Sequence, residues 1–310
     1  MTPKRVLIFA VVAAVLYAVF GYWVVTNFDI PKIRGTAWLF VILAVICQIS
    51  AKWIFGLQFR ESAEMVGEDI APWSAFKAAL VGAGVARLIP VGGAVTPVAM
   101  SWTVRDEAEG TAGAAIRATF LNYAGLLIIT GVGLLVARPI DDRLQVGSVS
   151  LVVLAPFVLI AGLAVMFGSG KLGTINKYLP EFLRARLEES MVDHTPGLES
   201  QIYIWTRLVL EAAALWLVLV AFGIEVNVFQ ALAAFGGSQI VGGLPGMPGG
   251  LGVTEGTLAV ILAAYGFSVS TTIAPVLVFR IVSYWLPAAL GFLAGGSTFL
   301  QSEEAKAAQS

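Results

Sequence analysis

Eight charged side chains stand inside otherwise apolar stretches of this sequence: Lys52, Lys77, Arg87, Arg117, Arg207 and Arg280 against Glu211 and Glu255. A charge at the bilayer centre costs at least about 2.5–3.5 kcal/mol on insertion scales, so such residues pair or line a wet cavity. Lys52 and Lys77 read as lying near helix ends, where a long side chain can snorkel. Arg117 falls a few residues into its apolar run, where snorkelling and function fit equally. Arg207 and Glu211 are four apart, on one helix face, and read as a self-contained ion pair. Arg87, Glu255 and Arg280 are harder to dismiss. Glu255 with Arg280 makes a structural pair, yet one arginine is still left over. Unmatched positive charge in a cavity favours an anionic ligand such as a phosphate, which the planar arginine fork binds through two parallel hydrogen bonds.

These charges flank two breaks. Arg87 precedes Pro90, Gly92 and Gly93. Glu255 follows a run from Gly242 to Gly250 that holds Pro245, Pro248 and Gly249. Proline removes a backbone donor and glycine frees the chain, so simple helix breaking and close packing is one reading. The other is that the arms beginning near Ala94 and Leu251 place helix N-termini, with their free N–H groups, beside a ligand anion. Thr96, Thr254 and Ser238 could add hydroxyls.

The elements that must hold these residues are membrane helices. The chain has 310 residues, 58% hydrophobic and 13% charged, with mean hydropathy +0.86. Soluble domains run at about 45–50% apolar and about 25% charged. A spanning helix needs about 20 apolar residues. Candidates lie at 6–26, 36–57, 113–137, 149–168, 201–223 and 271–297. The first is too long for a secretory signal and has no small-residue cleavage site after it. Net charge −1 gives no basic surface for nucleic acid. One cysteine, Cys47, and one histidine, His194, exclude a disulfide framework, a cysteine-built metal site and a Ser-His-Asp triad. Neither a metal nor another cofactor is expected.

The broken stretches, Pro72 to Val104 and Val228 to Gly266, each leave arms of roughly 11–17 residues, short for a span. They read as two re-entrant hairpins with tips inside the membrane, or as kinked helix pairs that cross fully. Irregular backbone at that depth must be covered by protein or water. Ala75-Phe76-Lys77-Ala78-Ala79 parallels Val228-Phe229-Gln230-Ala231-Leu232, and Gly92-Gly93 corresponds to Gly249-Gly250. With an N-terminus inside, nine Lys/Arg fall in inner segments and four in outer ones, which predicts cytoplasmic termini. The hairpins then enter from opposite sides. The expected fold is an all-α polytopic membrane protein of about six spans plus two hairpins, in an inverted repeat of units 36–137 and 201–297. Its single membrane domain covers 1–300, with a cytoplasmic loop at 169–200 and a tail at 301–310. Inverted repeats with interrupted helices are a recurring transporter design whose substrate sits where the breaks meet. Small-residue pairs such as Gly82 and Gly84 suit packing within the chain or in a homo-oligomer.

The stretch Pro248-Gly249-Gly250-Leu251-Gly252-Val253-Thr254-Glu255-Gly256, with the earlier Pro90-Val91-Gly92-Gly93, resembles the lysylphosphatidylglycerol synthase transmembrane region family, also called flippase-like or UPF0104. The resemblance covers residues 5–300. It implies a bacterial plasma-membrane protein that moves an anionic phospholipid or a lipid-linked polyprenyl-phosphate sugar between leaflets. The polar tail after the last span leads us to expect a stand-alone region without the synthase domain, and so no enzyme. The residues expected to bind substrate are Arg87, Pro90, Gly92, Gly93, Arg117, Pro248, Gly249, Gly250, Gly252, Thr254, Glu255 and Arg280. An intramembrane enzyme would need paired carboxylates or a metal. A non-catalytic partner of an envelope glycosyltransferase or synthase is the other alternative. The chain holds no G-x-x-x-x-G-K-[ST] nucleotide loop.

Overall fold

The computed structural model describes residues 37–88, 95–137, 145–146, 149–167, 196–243 and 250–296, with isolated positions before residue 37. It is an all-α polytopic membrane protein. Among the described residues, four helices are long and apolar enough to cross a bilayer: α1 (Ala37–Glu64), α4 (Ala112–Val136), α6 (Leu198–Ala221) and α9, which runs Val269–Gly295. α5 (Leu151–Phe167) is shorter and follows a two-residue ribbon, Gln145–Val146 against Val149–Ser150. The run expected at 6–26 lies almost wholly outside the described residues, as do the loop that follows α5 and the tail from 301.

The broken stretches form arms. The first holds α2 (Pro72–Leu88) and α3 (Thr96–Thr103); the second holds α7 (Val228–Gly242) and α8 (Val253–Ala264). At 1.5 Å per residue these rise about 26, 12, 22 and 18 Å, each short of a hydrocarbon core of about 30 Å. Both tips, 89–94 and 244–249, lie outside the described residues.

Local sequence sets the arm ends. Pro97 sits in the first turn of α3, where its missing N–H costs nothing. Asn227 caps α7: its side chain accepts from Gln230 N at 2.9 Å and the Gln230 side chain accepts from Asn227 N at 3.0 Å. Gly250 and Gly252 hold φ of +67° and +80°, a region L side chains rarely enter.

One boundary differs materially from expectation. The span placed at 36–57 runs on to Glu64 as α1. Its polar end stays helical and partly buried because other helices satisfy it. Gln58 donates to Ala118 O at 3.2 Å, and Glu61 pairs with Arg117 at 3.2 Å.

The helices pack by exchange between two units, α1–α4 and α6–α9. The two first spans, α1 and α6, pack on each other. α4 of the first unit packs on α7 of the second, and the C-terminal half of α9 packs on α2. Each unit therefore lays its last span against the other's first arm. Glycine makes both crossings close. A Cβ at Gly133 would meet Ala233 N at 2.6 Å, and one at Gly84 would meet Ala288 O at 3.1 Å. One at Gly291 would overlap Leu80 O.

Gly291→Ala is thus expected to force α9 off α2 and destabilise the protein by about 1–3 kcal/mol, seen as a lower unfolding temperature in detergent. Gly256→Ala, on α8, meets nothing within 4 Å and is expected to leave that temperature unchanged or raise it, since alanine is favoured over glycine in a helix by up to about 1 kcal/mol.

Candidate functional site

Polar residues recur at helical spacing on several of these apolar helices, and the faces converge. α1 contributes Gln48, Lys52 and Phe55, at i, i+4 and i+7. α4 contributes Thr119, Asn122, Tyr123 and Leu126, again on one face. α6 gives Arg207 and Glu211, α2 gives Ala83 and Arg87, and α7 gives Phe235 and Gln239. With Thr96 and Ser283 they line a cavity of about 140 Å³. Both units contribute, so the cavity lies at the seam created by their exchange.

Its charges are specific. Lys52 Nζ bonds Glu211 Oε1 at 2.6 Å, joining α1 to α6, and both residues are buried. Arg207 Nε lies 3.5 Å from the same oxygen, without hydrogen-bond geometry, and its guanidinium stacks 3.9 Å above the Phe55 ring. Arg87 donates from Nη1 to Ala83 O at 2.6 Å and from Nη2 to Ser283 O at 2.9 Å. Ser283 belongs to a π-helical turn of α9, Ile281–Trp285. Such a turn departs from the α pattern and is common at functional sites. Tyr284 of that turn donates to Arg87 O at 2.9 Å.

The cavity also collects unmet hydrogen-bonding capacity. Gln48 Nε2, Arg207 Nε and Nη1, Ser283 Oγ and Asn122 Oδ1 are buried side-chain atoms without a hydrogen-bond partner. Turning the Asn122 amide over would present its NH₂ instead. A buried polar group left unsatisfied costs about 1–3 kcal/mol. All five belong to residues that line the cavity, and most are donors.

The residues expected from sequence fall in different places. Arg87 lines the cavity, as does Thr96. Arg280 does not. Its Nε bonds Glu255 Oε1 at 2.7 Å, and its guanidinium lies 4.5 Å over the Tyr284 ring. Glu255 Oε2 accepts from Gly252 N at 2.8 Å. Arg117 sits at another seam, where Nη1 reaches Glu61 Oε2 at 3.2 Å and Ser62 Oγ at 2.9 Å, while Ser200 donates to Glu61 Oε1 at 2.6 Å. Thr254 and Gly250 close on Gly242, so the two ends of the second break touch. Pro90, Gly92, Gly93, Pro248 and Gly249 lie outside the described residues. Two sequence readings need correcting. Lys52 does not snorkel: it is mid-helix, buried and paired. Arg207 and Glu211 are not self-contained, because Lys52 holds Glu211 more closely. Lys77 is exposed, as a snorkelling side chain would be.

The sequence profile of the lysylphosphatidylglycerol synthase TM region matches residues 7–291. The chain belongs to that family. It is also similar to a UPF0104 membrane protein of Methanothermobacter thermautotrophicus, 31% identical over 98 residues, which is 32% of this chain and 28% of that protein. A second match to a UPF0104 membrane protein of that organism is 34% identical over 82 residues, 26% of this chain and 25% of the relative. The matched segments thus span about a quarter of those relatives' length.

In this member of the family, the Gly-Leu-Gly-x-x-Glu stretch has a local explanation. Gly250 and Gly252 supply left-handed turns, and a glutamate three residues after the N-cap reaches back to its N–H. The same carboxylate neutralises Arg280. Removing one partner of such a buried pair is costly, about 3–5 kcal/mol. Glu255→Gln and Arg280→Met are each expected to lower thermal stability in detergent, and the double variant to lose less than the sum. Strict additivity would show that the two side chains do not act as a pair.

Proposed function

We propose that this protein is a flippase-like transporter that moves an anionic phospholipid or lipid-linked polyprenyl-phosphate sugar between membrane leaflets. The observation that carries the reading is the cluster of buried, unpartnered donors, Gln48 Nε2, Arg207 Nε and Nη1 and Ser283 Oγ, around one cavity at the seam of two broken-helix units. Transporters built on interrupted helices bind substrate at such a seam. Arg87 and Arg207 would hold the phosphate, and the acyl or prenyl tail would stay in lipid. The expected setting is a bacterial plasma membrane with both termini in the cytoplasm, following the Lys/Arg bias. Turnover would draw on an ion gradient or on the lipid's own concentration difference.

A transport role also fits the carboxylates. Among the described residues the cavity presents one, Glu211, already held by Lys52. Acid/base chemistry on a lipid would want a second.

The test is leaflet exchange of fluorescent anionic lipids and polyprenyl-phosphate sugars in proteoliposomes. Wild type is expected to accelerate exchange of at least one lipid over empty vesicles. Arg207→Gln should slow it about tenfold or more, the scale of one lost hydrogen bond to a charged group, and Lys77→Gln should not. Exchange at the empty-vesicle rate for every lipid would contradict the proposal and shift weight to a partner of an envelope glycosyltransferase or synthase.

A further inference from the structure

The charges around the cavity count out to a definite surplus. Its lining holds three cations, Lys52, Arg87 and Arg207, and, among the described residues, one carboxylate, Glu211. Lys52 and Glu211 form the short pair. Arg207 shares the same carboxylate oxygen only at 3.5 Å. Arg87 is pinned by two backbone carbonyls, which accept its protons without cancelling its charge. No carboxylate of the described residues lies within ion-pair distance of Arg87. The neighbouring carboxylates are committed elsewhere, Glu255 to Arg280 and Glu61 to Arg117. Three cations against one carboxylate leave the cavity lining with a surplus of two positive charges.

We propose that the cavity selects headgroups carrying two negative charges, a phosphomonoester or a diphosphate, over singly charged phosphodiesters. The inference rests on the transport reading above and narrows its substrate class. Inside a low-dielectric site an unmatched charge is far more costly than in water. A monoanion leaves one guanidinium unmatched, whereas a dianion satisfies both. The unpartnered donors fit the same guest. Two N–H groups of Arg207, the Gln48 amide and the Ser283 hydroxyl are donors of the kind phosphate oxygens accept. Lys52 and Glu211 act as a neutral pair that fixes the surplus at two.

The selection is read by binding to purified full-length protein in detergent at pH 8, where a phosphomonoester is doubly charged because its second pKa is about 6. The probes are dioctanoyl phosphatidic acid, dioctanoyl phosphatidylglycerol and inorganic phosphate. Wild type is expected to bind phosphatidic acid about tenfold more tightly than phosphatidylglycerol. The variants then test the count. Arg207→Gln leaves a surplus of one and should lose or reverse that preference. The double variant Lys52→Gln/Glu211→Gln removes the pair, keeps the surplus at two and should retain it, which a merely structural role for these side chains would not produce. Phosphatidylglycerol bound within about twofold of phosphatidic acid overturns the charge selection but leaves the transport reading standing. Binding of neither lipid also overturns the charge selection, and the leaflet-exchange assay then decides the transport reading separately. Inorganic phosphate bound as tightly as phosphatidic acid keeps the dianion preference and removes the lipid from it.

Discussion

A charge carried into a bilayer must pair inside the protein or line a wet cavity, and that constraint organises this molecule. Among the described residues, the cations Lys52, Arg87, Arg117, Arg207 and Arg280 stand against three carboxylates, Glu61, Glu211 and Glu255. Each carboxylate joins at least two helices: Glu61 ties α1 to α4 and α6, Glu211 ties α6 to α1, and Glu255 ties α8 to α9. Buried pairs of this kind are poor net stabilisers but costly to break. They therefore fix which helices lie together more than how tightly they hold. What the pairing leaves over, Arg87 and Arg207, lies at one cavity.

The broken helices explain why that cavity exists. A continuous helix satisfies its own backbone and fills the layer it crosses. Arms of 17, 8, 15 and 12 residues do not, and each must lean on a neighbour for cover. Exchange of last spans between the units provides that cover, with glycines at Gly84, Gly133 and Gly291 letting backbones touch. The cavity lies beside the C-terminal parts of the first arms, α2 and α7. There Arg87 and Gln239 meet the polar faces of α1, α4 and α6. The π turn of α9 completes the wall by offering the Ser283 carbonyl to Arg87.

Much of this was legible in the sequence. Apolar length located the long spans, and proline with glycine located both breaks. Gly252 and Glu255 were singled out for contact with a ligand, and the structure adds that Glu255 caps Gly252 N and pairs with Arg280. The cavity itself was missed, for two physical reasons. Ending the second span at 57 left Glu61 outside the apolar count, so Arg117 looked unpaired. Reading each charged residue alone hid the spacing that mattered. Gln48 and Lys52 on α1, and Thr119, Asn122 and Tyr123 on α4, repeat at three and four residues within apolar runs, and that period marks a polar face turned inward. Pairing across 159 positions, as between Lys52 and Glu211, has no local signature.

A transported phosphate headgroup has to sit in this cavity. The most direct measurement is an experimental structure of the full chain in lipid nanodiscs with a phosphate-headed lipid whose tail carries bromine. The phosphate is expected in the cavity, within hydrogen-bond reach of Arg207 and Gln48, with the brominated tail leading out between helices into the bilayer. A headgroup found instead against Arg280 and Glu255, or only on the outer surface with the cavity holding water, would contradict it.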